Sequence, residues 1–185
     1  KELDINYVTR YIIDKEVKPL TWQEVEGREI LDKEYGDLDA DIILEAKTIR
    51  ESKEQEEFHP KAIAFDIETD EFEIGKGKII MISVAGKNEK RVFSIKHFNN
   101  PPKEVEFVKD ECELIEKFLS FVKKEKPDIL TGYFTDGFDF PYLRARADKH
   151  KIKLDLGLDG SNVSLSGGAV RNCAITGLVH VDLFR

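Results

Sequence analysis

From residue 59 onward, apolar and polar positions alternate in short blocks whose periods predict a run of elements. His59 to Glu68, Lys78 to Ala85 and Arg91 to Ile95 read as strands, with the turn pieces GKGK and GKNEK between them. Asp110 to Lys124 changes period: Leu114, Ile115, Phe118, Leu119 and Val122 fall on one helical face, and Asp110 with Glu113 resembles a capping box. After Pro127, Asp128 to Thr131 reads as a short buried strand and Pro141 to His150 as a second helix, while Ala169 to Phe184 reads as two strands around Thr176 and Gly177. Three strands, helix, strand, helix and further strands fit an α/β layered domain with a mixed sheet. Residues 1 to 58 differ. Short apolar pieces (Tyr11, Ile12, Ile13; Ile42, Ile43, Leu44) are separated by charged stretches that end in ESKEQEEF, which reads as a solvated linker or helix face. There are no internal repeats.

Composition narrows the picture. A chain of 185 residues with 41% apolar residues can bury the core of one ordinary domain with an appendage. No apolar run approaches the roughly 20 residues needed to span a bilayer, and KELDINY is not a signal peptide, so an intracellular protein is expected. The chain starts at Lys1 and its only methionine is Met81, which reads as a piece of something longer. Cys112 and Cys173 have no metal-like spacing and are expected to be buried thiols. The net charge of -8 argues against holding nucleic acid by bulk electrostatics, so a nucleic acid partner needs local help such as bound metal.

The stretch AFDIETD at residues 64 to 70 carries the chemistry. In a strand, Asp66 and Glu68 point to the same face about 6 to 7 Å apart, so two carboxylates converge at the end of an apolar segment. A calcium loop starting at Asp66 fails, because its sixth position is Glu71 where glycine is needed and its twelfth is Gly77 where glutamate should chelate. GKGK lacks the spacing of a phosphate loop and reads as a turn. Further on, TGYFTDGFDFPYLRARA places Asp139 where a strand ends and a helix begins, with Pro141 in its first turn. The helix dipole at that point is expected to favour an ionised Asp139. A plain capping role explains the aspartate but not the flanking FDFPYL.

FDIET followed 71 residues after Glu68 by FDFPYL resembles the first and second exonuclease motifs of family B DNA polymerases, most closely those of archaea. LDINYVTRYIIDK resembles the end of the polymerase N-terminal domain, KIIMISVA the second strand, KKEKPDILTGY the approach to the second motif, and LDGS with HVDLF the region beyond. The likeness leaves out roughly residues 21 to 57. It implies a ribonuclease-H-like exonuclease fold over residues 59 to 185, cut short on its C-terminal side, preceded over residues 1 to 58 by the tail of a β-rich N-terminal domain and a linker. The implied activity is 3′-to-5′ proofreading hydrolysis of a DNA primer end with two divalent ions, Mg²⁺ or Mn²⁺. By the resemblance, Asp66 and Glu68 bind one ion, Asp66 also touches a second, and Asp139 holds the second. Thr69, Phe138 and Tyr142 are the implied substrate contacts. The implied partners are a single-stranded 3′ DNA end, the rest of the polymerase chain and, through it, a sliding clamp, in the cytoplasm near the nucleoid and with no membrane.

Two departures stand out. Where the family's second motif carries asparagine after the tyrosine and a polar residue before Phe-Asp, this chain has Phe134 and Gly137. The third motif, Tyr-x-x-x-Asp, is absent: Asp182 has Leu178 four residues before it and is expected to be structural. His59, His97, His150 and His180 have no partner at ligand spacing and are read as non-ligands. A freestanding nuclease of the same fold and a non-catalytic module remain as alternatives.

Overall fold

The computed structural model describes residues 5, 7–19, 21–30, 38–54, 56–167 and 172–184, which divide into two compact units, 1–59 and 60–185. The resemblance of LDINYVTRYIIDK and the strand expected from Ala169 therefore lie partly outside the described residues. In the first unit, helix α1 (Tyr7–Asp14) buries no side chain, and strands β1 (Gln23–Glu29) and β2 (Leu44–Glu51) form an antiparallel pair. With charged residues on both strands, the pair carries cross-strand ion pairs Arg28–Glu45 at 3.1 Å and Arg50–Glu24 at 3.0 Å. Among the described residues of the run ESKEQEEF none is helical, and the Trp22 indole donates to the Glu56 carbonyl at 2.6 Å.

The second unit is built on a six-stranded sheet in the order β10-β7-β3-β4-β5-β6. Its members are β3 (Ala62–Thr69), β4 (Ile79–Gly86), β5 (Lys90–Ser94), β6 (Val105–Phe107), β7 (Ile129–Gly132) and β10 (Val179–Asp182). β4 pairs antiparallel with both β3 and β5, whereas β7 lies parallel to β3, β10 parallel to β7 and β6 parallel to β5, so the sheet is mixed. β8 (Ser164–Ser166) and β9 (Asn172–Ala174) form a separate short pair.

Period-2 patterning sets the faces. Ile63, Phe65 and Ile67 of β3 are buried, while Asp66 and Glu68 are exposed on the opposite face beside Ser83 and Met81 of β4. Phe65 packs against Phe118 of helix α2 (Glu111–Glu125) and Phe140 of helix α3 (Asp139–His150), with ring centroids 5.1 and 5.0 Å away. Asp110 Oδ1 caps α2 by accepting the Glu113 N–H at 2.9 Å, as the capping pattern predicts, while Glu113 reaches back to the Lys109 N–H at 2.8 Å. β6, three residues long and half-buried throughout, is an element the apolar pattern does not reveal.

Beneath α2 and α3 lies a buried polar cluster that sequence patterning gives no hint of. Glu111, 4% exposed, accepts Arg146 Nε at 2.7 Å and Nη2 at 2.5 Å, His150 Nε2 lies 2.6 Å away, and the Ile79 N–H donates at 2.8 Å. Burial opposes the charge of Glu111, but these hydrogen bonds outweigh it and hold its pKa below the usual value. One carboxylate thus ties α2, α3 and the start of β4 together.

Candidate functional site

Where β7 leaves β3, the sheet opens and the site begins. The parallel ladder between them covers Ala62 to Ala64 and stops. Gly132, the last residue of β7, passes so close to β3 that a Cβ there would stand 2.6 Å from the Phe65 carbonyl oxygen, which leaves no room for a side chain. Beyond that point the Ile67 N–H donates instead to Asp139 Oδ1 at 3.2 Å. A helix N-terminus has taken the place of a strand, and it delivers a carboxylate to the strand that carries Asp66.

Asp139 is therefore not the cap of α3: the N-cap position is Phe138, which makes no side-chain cap bond, and Asp139 is the first helical residue. Nor does the helix dipole keep it ionised. At 2% exposure, burial first and the nearby Asp66 carboxylate second push its pKa up to about 7, with Asp182 adding to the rise and the Ile67 N–H bond resisting it. The expectation from the dipole is overturned because desolvation and a like charge outweigh a terminal partial charge of roughly half a unit. Asp66 is surface-exposed, yet enough protein crowds its carboxyl that desolvation raises its pKa as well. Among the described residues, no ion pair engages Asp66, Glu68 or Asp139.

These three carboxylates do not close into a single cage. Among the described residues, the one group of three candidate ligands whose donor atoms all lie within 4.8 Å of one another is Asp136, Cys173 and His180. The arrangement of Asp66, Glu68 and Asp139 is a row of hard oxygen donors with no cation partner among the described residues, two on an exposed strand face and one buried against that strand. That donor chemistry fits Mg²⁺ or Mn²⁺, which prefer carboxylates and keep several waters.

Of the expected substrate contacts, Thr69 is half-buried and its hydroxyl donates to the Glu71 carbonyl at 2.9 Å, while Phe138 is half-buried and packs on Tyr142 at 5.4 Å. Tyr142 is fully buried and its hydroxyl donates to the Glu71 carbonyl at 3.0 Å, which makes it a support beneath the loop rather than a surface contact. That loop, Asp70 to Lys78, closes on itself, with the Asp70 N–H donating to the Lys78 carbonyl at 3.1 Å and the Lys78 N–H to Asp70 Oδ1. It is a turn pinned at both ends by Asp70.

Asp182 is structural, as expected. Its Oδ1 accepts the N–H groups of Phe134 and Phe184 at 2.8 and 2.9 Å, and its Oδ2 that of Asp136 at 2.9 Å. Burial raises its pKa and these backbone bonds more than reverse that, so it stays below the usual value. The two departures in the second motif turn out to complement each other: Phe134, at φ 59°, lays its ring over Gly137, where a Cβ would lie 2.3 Å from a ring carbon. A side chain at 137 is excluded by the ring that replaces the expected asparagine.

The histidine reading needs correction. His180 does have partners, contributed by distant stretches: its Nδ1 is 3.6 Å from Asp136 Oδ1 and its Nε2 is 2.9 Å from Thr135 Oγ1. His150 belongs to the Glu111 cluster and His97 stacks on Phe107 at 4.4 Å. Cys173 is buried as expected, while Cys112 is only half-buried. Neither Asp136 nor its pairing with His180 could be found from spacing, because the residues meet only when β10 pairs with β7.

Fold and site together define a mixed-sheet α/β domain with a carboxylate row at the end of its central strand. The family model for "DNA polymerase family B, exonuclease domain" matches residues 2–185. DNA polymerases of Pyrococcus glycovorans and Archaeoglobus fulgidus are 35% and 34% identical over 99% and 100% of this chain, which spans 20% and 21% of their length. The DNA polymerase of Methanocaldococcus jannaschii is 33% identical over 99% of the chain, which is 10% of its length. The solved family B DNA polymerase of Pyrobaculum calidifontis superimposes with a TM-score of 0.73 at 28% identity, over 99% of this chain and 22% of that one. The chain belongs to the family B DNA polymerases, through their exonuclease domain, and its fold is the ribonuclease-H-like fold of that domain. Among the described residues, no helix is long and apolar enough to cross a membrane.

Proposed function

We propose that this chain is the proofreading part of a DNA polymerase, hydrolysing the 3′-terminal phosphodiester of DNA with divalent ions held by Asp66, Glu68 and Asp139. One observation carries the reading: Asp139 is buried against the strand that bears Asp66, close enough for the Asp66 charge to raise its pKa, and no ion pair among the described residues offsets them. Bound Mg²⁺ or Mn²⁺ supplies the charge neutralisation and water activation that phosphodiester hydrolysis requires. The protein's share is to hold the three carboxylates in place. Asp139 is fixed by its bond to the Ile67 N–H, and Asp66 and Glu68 by the register of β3 against β4. Phe138 and Thr69 flank the row at the start of α3 and the end of β3 and are the side chains assigned to the approaching nucleotide, with Tyr142 supporting the loop beside them.

In the reaction, a water oxygen bonds to phosphorus, the bond to the 3′ oxygen of the penultimate nucleotide breaks, and the terminal nucleotide leaves as a 5′-monophosphate. Residues 1–58 are assigned to the tail of the polymerase N-terminal domain with its linker. The substrate is a single-stranded 3′ primer end, and the remainder of the polymerase chain and a sliding clamp are the further partners, in an archaeal cytoplasm. The test uses the polymerase that carries this domain. Asp66→Ala or Asp139→Ala should slow single-turnover excision of a mismatched primer by several orders of magnitude while nucleotide addition stays nearly intact. Unchanged excision in either variant would sink the assignment.

A further inference from the structure

A second cluster, of different chemistry, gathers where β9 and β10 meet the loop that leads to Asp139. Asp136, Cys173 and His180 offer a carboxylate oxygen, a sulfur and an imidazole nitrogen, with one donor atom of each within 4.8 Å of the others. All three are enclosed: the side chains of His180 and Asp136 are 3% and 7% exposed, and Cys173 is 4% exposed. We propose that Asp136, Cys173 and His180 bind a zinc-class divalent ion at a site separate from the carboxylate row of Asp66 and Glu68.

Geometry is the first support. Donors bound 2.0 to 2.3 Å from one tetrahedral ion stand roughly 3.3 to 3.6 Å apart. His180 Nδ1 and Asp136 Oδ1 are already 3.6 Å apart, and the remaining edges, within 4.8 Å, need to close by no more than about 1.5 Å. Donor type is the second, because a sulfur and an imidazole select zinc-like ions over Mg²⁺ or Ca²⁺. The third is the surrounding shell. A ligating histidine normally has its other ring nitrogen fixed by a hydrogen bond, and a ligating carboxylate is held likewise. Here Thr135 Oγ1 lies 2.9 Å from His180 Nε2, leaving Nδ1 toward the cluster, and the Cys173 N–H donates to Asp136 Oδ1 at 2.7 Å.

Charge balances as well. A carboxylate, a thiolate and a neutral imidazole sum to two negative charges, which a divalent ion cancels inside a buried site. Binding breaks the Cys173 S–H bond, releases its proton to solvent and forms a sulfur–metal bond, with no change of oxidation state. A solvent oxygen takes the fourth position. The ion then joins β9 and β10 to the segment Phe134–Phe138, whose next residue is Asp139, and acts as a staple under the carboxylate row. The inference does not depend on that row binding metal.

The reduced, metal-free 185-residue chain is titrated with Co²⁺ under anaerobic conditions, then with Zn²⁺. One equivalent of Co²⁺ should give thiolate-to-cobalt charge transfer in the near ultraviolet and d–d bands of tetrahedral intensity. Zn²⁺ should displace it and raise Tm by several degrees, whereas millimolar Mg²⁺ should do neither. Cys173→Ser should abolish the charge-transfer band, His180→Gln and Asp136→Asn should each weaken Co²⁺ binding at least about tenfold, and Cys112→Ser and Asp66→Asn with Glu68→Gln should leave it unchanged. A folded chain with no thiolate band overturns the proposal, as does a band that survives His180→Gln and Asp136→Asn or disappears with Cys112→Ser. If Cys173→Ser does not fold, zinc-edge X-ray absorption of the unaltered chain decides: one sulfur with nitrogen and oxygen neighbours supports the site, and a shell without sulfur rejects it.

Discussion

Asp139 is 2% exposed and lies beside the Asp66 carboxylate, and both facts favour its protonated form. Its pKa of about 7 against an ordinary 3.8 gives a definite sign to its effect on stability. The metal-free folded state binds this proton more tightly than the unfolded chain does, so stability from this group falls as pH rises from about 4 to about 7 and is level beyond that window. Asp139→Asn, which keeps an oxygen for the Ile67 N–H, should therefore raise Tm in chelator at pH 8 by several degrees, on the order of 1 to 3 kcal/mol, with little effect at pH 4. Added Mn²⁺ should reverse the order, stabilising the natural chain more than the variant. Calorimetric melts at both pH values, with and without Mn²⁺, check this. A variant no more stable than the natural chain at pH 8 in chelator would show that Asp139 is not under the stress its burial implies.

At the scale of elements, the joint between α2 and α3 is polar. Glu111 is hydrogen-bonded by Arg146, His150 and the Ile79 N–H with almost no solvent access, so deleting its carboxylate leaves a buried guanidinium without its partner. Glu111→Ala should cost about 3 to 5 kcal/mol, and replacing Glu111 and Arg146 together by Leu and Met should recover most of it. Urea melts of the two variants measure this; a single variant within 1 kcal/mol of the natural chain would mean the pair contributes little. The cap of α2 is a smaller term. Asp110→Ala should lower stability by about 1 kcal/mol, since it leaves the Glu113 N–H without its acceptor.

For the molecule as a whole, the core of residues 60–185 is self-contained: Ile63, Phe65, Ile82, Phe118, Leu130 and Phe140 form one buried cluster. Residues 60–185 alone should melt cooperatively in circular dichroism, and a melt without a transition would refute their independence. Val179, Leu183 and Phe184 are 54%, 60% and 56% exposed at and beyond the edge strand β10, an apolar surface at the sheet edge. Charged substitutions such as Leu183→Lys should therefore reduce self-association, read by sedimentation, with little change in Tm.

Much of this was legible in residue order. Strands β3, β4, β5 and β7 and helices α2 and α3 announce themselves because each buries a face of its own, and period 2 alone puts Asp66 and Glu68 on one side of β3. β1 and β2 were not legible: cross-strand ion pairs line them and nearly all their side chains are exposed, so no apolar period marks them. FDIET and FDFPYL were enough to point to the family. Tertiary structure alone decided what those residues experience. Asp139 meets the backbone of β3 only because β7 diverges from it, Phe134 closes over Gly137 only in the folded loop, and Asp136, Cys173 and His180 become neighbours only through the β7–β10 pairing. Sequence sets periodicity and residue type, which are local; burial, like-charge proximity and donor convergence arise from chain crossings between distant segments, and these set the proton affinity and metal chemistry of the site.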